Sequence, residues 1–323
     1  MFPKLYFFIP KTLLKYTKGE FELIYGDENL IEEANRFLSY KSKNEANSLE
    51  LESTLTKKEY LSNIVELQEE IRNGNIYEVN FCYEYFKKGV MIEPVDLYNK
   101  LVPLTKAPFS SFGKFNDKYV ICASPERFLK KEGNKLISQP IKGTIKRGES
   151  LIEDEKLKEE LRVNEKERSE NIMIVDLVRN DLSKVSNFNS VNVEELCEIY
   201  SFETVHQMIS TVSSTVKEKT RFSEIIKATY PMGSMTGAPK INAMQLIERN
   251  ESTKRGLYSG SVGYITPDDD FDFNVIIRSF LYDAGTNYLS AMVGGAITAK
   301  SSPELEYEET LTKISALMKS LKK

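Results

Sequence analysis

The chain has 323 residues, of which 41% are hydrophobic and 28% charged, a composition typical of a globular protein with one large domain or two smaller ones. Its 44 Lys and Arg residues nearly balance 48 Asp and Glu residues, and the net charge of -4 argues against a nucleic-acid binder, which would carry a basic face. The three cysteines have no paired spacing, so they favour a reducing compartment and predict neither a zinc site nor disulfides.

The amino-terminal stretch, residues 1–11, is apolar but contains Pro3 and Pro10. It lacks the apolar core of a signal peptide, and no run approaches the ~18 residues that a membrane span needs. We interpret this stretch as a short strand. We expect a cytoplasmic protein with no membrane partner.

Capping residues and apolar spacing predict the elements of the first half of the chain. Thr56 and Glu59 form a capping-box pattern that predicts a helix ending at Asn73 and Gly74. The other predictions are a helix over 28–40, a linker over 42–53, strands over 76–86 and 119–123, and a hairpin of 127–131 and 135–138.

The second half continues with a long charged helical segment from about Ile152 to Val185 and strand-like residues over 198–216. Further predictions are helices over 222–230 and 241–249, strands over 260–265, 273–282 and 288–298, and a closing helix that begins near residues 301–304 with a second capping-box pattern. Consecutive strands outnumber what a βαβ alternation would supply. The pattern therefore predicts an α+β fold of mostly antiparallel sheets wrapped by outer helices.

Two predicted helices carry glutamates three residues apart, Glu167 with Glu170 and Glu306 with Glu309. Each pair could simply form a solvated, charged helix face. If the two faces meet, however, four carboxylates converge, and such oxygens suit a hard divalent cation such as Mg2+.

Lys142 lies between a proline and a glycine, where a lysine is most often a solvated turn residue. Glu126 opens the predicted hairpin, and the hairpin could bring Glu126 and Lys142 to the same end. An acid and an amine placed there could act as general acid and nucleophile, or could equally form an edge salt bridge.

Three other features suit an anion. Small residues over Gly233–Lys240 precede a helix, whose free N–H groups could bind an anion or simply be capped. Arg278 lies in a predicted apolar strand, where its guanidinium needs either a structural carboxylate or an anionic substrate. Gly294 and Gly295 end another strand and allow a ligand close to the backbone.

Taken together, these segments resemble the chorismate-utilising enzymes, a family that includes anthranilate synthase, isochorismate and salicylate synthases, and the large component of aminodeoxychorismate synthase. The matching segments follow one another along the chain: 74–80, 124–128, 140–144, 170–182, 233–240, 277–279, 294–297 and 302–310. The resemblance implies a chorismate-binding catalytic domain over residues 56–323. It also implies that the short segment over residues 1–55 is truncated relative to the family.

By motif position, the resemblance implies chorismate as substrate and Mg2+ as cofactor. The implied Mg2+ ligands are Glu167, Glu170, Glu306 and Glu309. The implied substrate-binding residues are Ser234, Tyr258, Arg278, Gly295 and Lys313, with Arg278 on the enolpyruvyl carboxylate. The implied catalytic residues are Lys142, Glu126 and His206, with Glu126 protonating the departing C4 hydroxyl and His206 also lining the site.

Lys142 selects one branch of the family. Anthranilate synthases usually carry alanine at this position. In aminodeoxychorismate synthases a lysine adds to C2 of chorismate; ammonia then bonds to C4 and displaces the lysine from C2. Because the amine must be neutral to attack, we expect its pKa to be depressed. The resemblance thus implies amination of chorismate to 4-amino-4-deoxychorismate, for p-aminobenzoate and folate synthesis, with ammonia from a glutamine amidotransferase partner.

Glu78 departs from the family pattern, since aminodeoxychorismate-forming relatives commonly carry Gln there and isochorismate-forming relatives a water-activating Lys. The absence of Trp and the short amino-terminal segment argue against feedback by tryptophan. Two alternatives stay open: an anthranilate synthase component I, and a catalytically idle interaction subunit that has kept the fold.

Overall fold

The computed structural model describes residues 2–38 and 48–322, and the chain divides into two compact units between residues 47 and 48. The first unit contains an antiparallel hairpin, β1 (Leu13–Thr17) and β2 (Glu20–Tyr25), and helix α1 (Asn29–Leu38). The second unit contains all the residues that the sequence nominates for chemistry.

Predictions for the first unit have mixed outcomes. The helix predicted over residues 28–40 is confirmed as far as Leu38, and residues 39–47 lie outside the described part of the chain. The strand predicted over residues 1–11 is wrong, since no described residue before Leu13 is in a strand. The two prolines of that stretch explain the difference, because proline cannot donate a hydrogen bond to a strand ladder.

The second unit alternates helices with runs of strands. In chain order its elements are β3 (Glu52–Ser53), α2 (Lys57–Arg72), β4 (Glu78–Lys88), α3 (Pro94–Thr105), β5 (Phe109–Phe115), β6 (Lys118–Ser124), β7 (Arg127–Glu132), β8 (Lys135–Gln139), β9 (Ile141–Lys146), α4 (Leu151–Val163), α5 (Glu165–Ser183), β10 (Asn192–Ser201), β11 (Val205–Thr215), α6 (Phe222–Thr229), β12 (Gly237–Ala238), α7 (Lys240–Asn250), β13 (Gly263–Ile265), β14 (Phe271–Asn274), β15 (Ser279–Asp283), β16 (Tyr288–Thr298) and α8 (Pro303–Ser320). The end of the predicted linker thus includes strand β3.

The first sheet is seven-stranded and antiparallel, in the order β12-β4-β16-β15-β6-β5, with β3 also paired to β4. Its apolar face packs against α2, α3 and α8 around fully buried aromatic side chains such as Tyr60, Phe81 and Phe280. Burying each such ring contributes roughly 1.5–3 kcal/mol. This sheet therefore carries most of the hydrophobic core.

The second sheet is also seven-stranded and antiparallel, in the order β10-β11-β8-β7-β14-β13, with β9 also paired to β11. Helix α5 packs against β9 and β11. Strand β11 buries polar side chains, which find hydrogen-bond partners: Ser213 donates to Glu194 and Ser214 accepts from Ser186. The predicted α+β fold with mostly antiparallel sheets is confirmed.

One predicted strand, residues 273–282, is two strands that belong to different sheets. Strand β14 ends at Asn274 in the second sheet, β15 begins at Ser279 in the first, and the residues between them cross from one sheet to the other. Arg278 therefore lies at a crossing, with a left-handed φ of 53°. The stretch resembled a strand because the crossing buries its aliphatic residues, including Ile276.

The charged helical segment predicted from Ile152 to Val185 is two helices, α4 and α5. Asn164 separates them, because its side chain accepts a hydrogen bond from the Glu167 N–H and so caps α5.

Strand β9, which holds Lys142, was not predicted, and neither were α3 and β5. Lys142 is thus a strand residue rather than a turn residue.

The capping box predicted for α2 is confirmed, since Thr56 and Glu59 exchange both hydrogen bonds. The one predicted near Ser302 is wrong. Ser302 makes no side-chain capping bond, and α8 begins with Pro303 at its first position. In the described residues, no helix has both the length and the apolar character to cross a membrane.

Candidate active site

Two neighbouring crossings between the sheets place an acid and a guanidinium at one junction. Glu126 lies between β6 and β7, and Arg278 lies between β14 and β15. The crossings hydrogen-bond each other: Val275 N–H donates to the Glu126 carbonyl at 3.1 Å, and Ala123 N–H donates to the Arg278 carbonyl at 3.1 Å. Both side chains are therefore fixed by paired backbone where the two sheets meet.

Lys142 and Glu78 form an ion pair that bridges the two sheets. Lys142 Nζ lies 2.8 Å from Glu78 Oε1, and the side chains are only 10% and 1% exposed. Lys142 belongs to β9 of the second sheet, and Glu78 is the first residue of β4 in the first. Within the described residues, the amine makes this one hydrogen bond, although an ammonium has three N–H donors.

The depressed pKa expected for Lys142 is wrong. Burial lowers its pKa, but Glu78, Glu170 and Glu126 together outweigh burial and raise the pKa above its ordinary range. Opposite charges favour the charged form of an amine, so the resting Lys142 is an ammonium. The sequence could not reveal this, because Glu78 reaches Lys142 only through the packing of two sheets.

Glu126 has the electrostatics of a general acid. It is buried, and burial raises its pKa from 4.5 to about 7, although hydrogen bonding to Ser234 and the charges of Lys142 and Lys313 act in the opposite direction. A carboxyl with a pKa near neutrality can hold a proton and release it within one reaction cycle. The structure thus brings the predicted Glu126, Ser234 and Lys142 together.

The predicted carboxylates of α5 and α8 also converge. Lys166 Nζ lies 2.8 Å from Glu306 Oε1 and 3.8 Å from Glu170 Oε1, so one ammonium joins the two helices. Burial, followed by the charge of Glu309, raises the pKa of Glu167. Burial raises the pKa of Glu170 to about 8, with Glu78 and Glu167 adding to it.

Whether these carboxylates fit Mg2+ can be tested on their own contacts. In the described part of the chain, no group of three or more His, Cys, Asp or Glu side chains already has the spacing of a metal site. Glu170 Oε1 is nevertheless buried without a hydrogen-bond partner, and Lys166 supplies the positive charge between the helices. A buried, unsatisfied carboxylate oxygen beside other carboxylates fits a hard divalent cation.

The predicted substrate residues Arg278, Lys313 and Gly295 lie beside this cluster. Arg278 donates to the Lys313 carbonyl oxygen, and Lys313 Nζ lies 2.6 Å from Glu309 Oε1. A Cβ at Gly295 would lie 3.6 Å from Glu306 Oε2 and 3.7 Å from Lys313 Nζ. A side chain here would therefore contact Glu306 and Lys313, and the glycine leaves that position unfilled.

Arg278 has no carboxylate partner among the described residues, since its one side-chain hydrogen bond goes to a backbone carbonyl. Burial lowers its pKa, and the neighbouring Tyr258 and Glu309 oppose that effect. Burial also raises the pKa of Tyr258 well above its ordinary value. A largely desolvated guanidinium without a carboxylate needs an anion from outside the chain.

His206 stands apart from this group. Its Nδ1 lies 2.8 Å from Ser201 Oγ and its Nε2 lies 2.9 Å from Asp154 Oδ1. Arg147 holds the pKa of Asp154 well below its usual range. Within the described residues, no hydrogen bond or ion pair joins His206 to another predicted site residue, and both its nitrogens are engaged, so the structure does not bring it into the site.

The small residues over Gly233–Lys240 allow close backbone packing, and their contacts do not form an anion site. A Cβ at Gly237, whose φ is 141°, would lie 2.1 Å from the Glu78 carbonyl oxygen. Only glycine lets β12 pair with β4 at this point. The Lys240 amine binds Asp181 and two backbone carbonyls instead of an outside ligand.

Sequence reasoning missed Lys166 and noticed Glu78 without assigning it a role. Lys166 could have been found, because it lies four residues before Glu170 on one helix, a spacing that favours an ion pair. Glu78 carried no such signal. Its partner Lys142 lies 64 residues away in another sheet, and only the assembled fold joins them.

The comparisons with known proteins agree with this geometry. Residues 1–319 match the family of chorismate binding enzymes, and the chain belongs to that family. A solved anthranilate synthase component I from Streptococcus pneumoniae is 26% identical, with a TM-score of 0.79 over 93% of this chain and 70% of that one. MenF, the menaquinone-specific isochorismate synthase from Escherichia coli, has a TM-score of 0.76 at 18% identity and supports the fold alone.

Curated relatives come from two branches of the family. The probable aminodeoxychorismate synthase of Oryza sativa is 40% identical over 81% of this chain and 29% of its own length. Aminodeoxychorismate synthase component 1 of Escherichia coli is 35% identical, over 84% and 59%. Anthranilate synthase component 1 of Aquifex aeolicus is 37% identical, over 83% and 54%. The chain thus spans less than two thirds of each of these relatives.

Proposed function

We propose that this protein aminates chorismate to 4-amino-4-deoxychorismate, as an aminodeoxychorismate synthase component I in p-aminobenzoate and folate synthesis. The observation that carries the proposal is Lys142, a buried amine beside the acid Glu126 with two N–H positions that no described residue uses. Anthranilate synthases usually carry alanine at that position, so a lysine there favours the other branch. The names of the Oryza and Escherichia relatives support the same assignment.

Substrate binding would use the positive groups of the junction. Arg278 would bind one carboxylate of chorismate, because its guanidinium has donors left over and no carboxylate partner in the described chain. Gly295 would leave room for the ring beside Lys313. When bound, Mg2+ would supply positive charge for the other carboxylate, and its ligands would be Glu167, Glu170, Glu306 and Glu309.

The chemical steps follow from Glu126 and Lys142. Lys142 first gives one proton to water; its Nζ then forms a bond to C2 while both ring double bonds shift and the C4–O bond breaks. Glu126 gives its proton to the departing hydroxyl, which leaves as water. Ammonia then forms a bond at C4, both ring double bonds shift back, the Nζ–C2 bond breaks, and its electron pair returns to Lys142. Ammonia would come from a separate glutamine amidotransferase subunit, consistent with the "component 1" names of the bacterial relatives.

The first test is to incubate the protein with chorismate, Mg2+ and ammonium and to identify the products by mass. We expect 4-amino-4-deoxychorismate, and we expect EDTA to stop its formation. Anthranilate as the main product would support the second candidate, an anthranilate synthase component I, which the Aquifex relative and the Streptococcus structure favour. No turnover, even with an amidotransferase present, would favour an idle interaction subunit.

A further inference from the structure

Two contacts of unequal strength hold Lys166 between the carboxylates of α5 and α8. Its Nζ lies 2.8 Å from Glu306 Oε1 but 3.8 Å from Glu170 Oε1, and only the first contact is a hydrogen bond. Glu170 Oε1 is the buried oxygen without a hydrogen-bond partner. One ammonium therefore satisfies one of the two carboxylates and leaves the other with charge attraction alone.

The position of Lys166 in its own helix disfavours a cation. Lys166 is the second residue of α5, and the helix dipole favours negative rather than positive groups in the first turn. A lysine that lies four residues before a glutamate is also the weaker orientation of a helical ion pair. The ammonium therefore depends on Glu306, which has no other ion-pair partner in the described chain.

Lys166 also has a route out of the carboxylate cluster. Its side chain is 34% exposed, whereas the side chains of Glu170 and Glu306 are 7% and 1% exposed. The two carboxylates are thus held in the interior, and the flexible lysine approaches them from the side of the solvent. Its ammonium can leave without a rearrangement of either helix.

An ammonium and Mg2+ would use the same oxygens, since Glu170 and Glu306 are among the proposed Mg2+ ligands. Mg2+ requires its oxygens at about 2.0–2.1 Å, and an ammonium bound to one of them would lie beside the metal, where positive charges repel. We propose that Lys166 competes with Mg2+ for Glu306 and Glu170, an inference that rests on the proposed Mg2+ site. The ammonium joins α5 and α8, and the metal displaces it toward solvent.

This exchange lets the buried carboxylates be stable both before and after the metal binds. Without any cation between them, the like charges of Glu170 and Glu306 would repel each other and separate the two helices. Lys166 supplies that cation before Mg2+ arrives, and in return it weakens the binding of Mg2+. Lys166 is therefore a residue that sets the metal affinity of the site.

The test measures metal binding without chorismate. Lys166→Met removes the ammonium and keeps a side chain of similar length, whereas Lys166→Arg keeps the charge. Lys158→Met is the matched control, because Lys158 is 36% exposed and forms an ion pair of 3.7 Å with Glu155 on the preceding helix α4. Each protein is titrated with Mn2+, free Mn2+ is measured by electron paramagnetic resonance, and MgCl2 is then added as competitor.

We expect Lys166→Met to bind Mn2+ about tenfold more tightly than the wild type or better, because a positive charge beside the metal is gone. Lys158→Met should bind Mn2+ as the wild type does, and Lys166→Arg should bind it no more tightly. In EDTA, Lys166→Met should melt at a lower temperature than the wild type, and saturating Mg2+ should remove most of that difference.

A second measurement follows the amine in the wild type and so does not depend on the folding of any variant. Lysines are acetylated with an amine-reactive ester, with and without MgCl2, and the labelled peptides are quantified by mass. Displacement by Mg2+ should raise the labelling rate of Lys166 several-fold, with Lys158 as the internal reference.

Two outcomes would overturn the inference. The first is a Mn2+ affinity of Lys166→Met that is equal to or weaker than that of the wild type, because Lys166 then supports the metal or does not affect it. The second is a labelling rate of Lys166 that Mg2+ leaves unchanged or lowers. Neither measurement uses chorismate, so a wild type that fails to consume chorismate would reject the proposed function and leave both outcomes decisive.

Discussion

Two buried lysines of this protein, each paired with a carboxylate, differ in what their amines have left to bind. Lys240 binds Asp181 and the carbonyl oxygens of Thr229 and Pro231, and so uses all three of its donors. In the part of the chain that the structure describes, Lys142 hydrogen-bonds to Glu78 alone. Their side chains are almost equally hidden, 15% and 10% exposed.

The pKa values of the two lysines shift in opposite directions. Burial lowers the pKa of Lys240 more than Asp181 raises it. For Lys142 the three surrounding carboxylates outweigh burial. The lysine with the lowered pKa is therefore the saturated, structural one. Unused hydrogen-bonding capacity, rather than a depressed pKa, distinguishes the lysine available for chemistry.

The largest expected effect is on activity and concerns the pair of Lys142 and Glu78, whose lysine has unused N–H donors. Lys142→Ala should lower chorismate turnover by more than about a thousandfold, as removal of a covalent nucleophile does. The measurement is steady-state turnover with ammonium and Mg2+, together with the absence of an adduct by intact mass. Turnover near the wild-type rate would show that Lys142 is not the nucleophile.

A control separates chemistry from folding, because Lys142→Ala leaves Glu78 buried without a cation. The double variant Lys142→Ala/Glu78→Gln removes that charge as well. Its melting temperature should recover toward that of the wild type while its activity stays lost.

The next effect concerns the acid beside Lys142. Glu126→Gln should lower kcat by about a hundredfold, within the range for loss of a general acid. Because burial raises the pKa of Glu126 to about 7, the wild-type rate should fall as the pH rises above about 7. The pH–rate profile of Glu126→Gln should lack this limb, and a profile identical to the wild type would contradict the assignment.

The same shift has a consequence for stability. The folded protein binds the Glu126 proton more tightly than the unfolded chain, whose carboxyl has a pKa near 4.5. The stabilisation that the Glu126 proton contributes is therefore complete below a pH of about 4.5, and it is lost as the pH rises through about 7. Glu126→Gln should remove this part of the pH dependence of unfolding.

The smallest expected effect on activity concerns the pair of Lys240 and Asp181, whose lysine uses all of its N–H donors. Lys240→Met should lower the free energy of unfolding by about 3 kcal/mol, because Asp181 loses a buried partner. Lys184, 2.9 Å from Asp181, keeps the loss at the lower end of the range for buried pairs. Denaturant unfolding measures the change, and the folded fraction should keep its turnover.

A matched variant makes the last comparison sharper. Lys240→Met/Asp181→Asn should recover much of the lost stability, since it removes the unpaired charge. A large loss of turnover in either variant at full folding would mean that the saturated lysine also serves the reaction.

Much of the fold could be predicted from local pattern. The capping box at Thr56, the apolar spacing of α2 and the bounds of β16 are encoded in neighbouring residues, and the structure has them where expected. The carboxylate pairs on α5 and α8 were predictable as pairs, because residues three apart share a helix face. The sequence could not show that the two helix faces meet. In the structure they do meet, because Lys166 of α5 pairs with Glu306 of α8.

The rest depended on distant contacts. The crossing at Arg278 resembled one long strand because its aliphatic residues are buried on all sides, and nothing local marks the change of sheet. Strand β9 was missed because Gly143 and Lys142 are weak strand formers; they lie at a register shift, and the pairing of Ile141 and Thr144 with β11 on either side holds them in the strand. The raised pKa of Lys142 followed from Glu78, whose approach requires both sheets.

The pairing of β4 with β16 has a kinetic consequence. Glu78 lies opposite Thr298, and the register continues to Lys88 opposite Tyr288, so this pairing joins residues that are 200 to 220 positions apart in sequence. Loop closure over such a separation costs chain entropy before any contact repays it, which slows folding. We therefore expect refolding to recover helical signal early and chorismate turnover last, since Glu78 meets Lys142 only after this pairing closes.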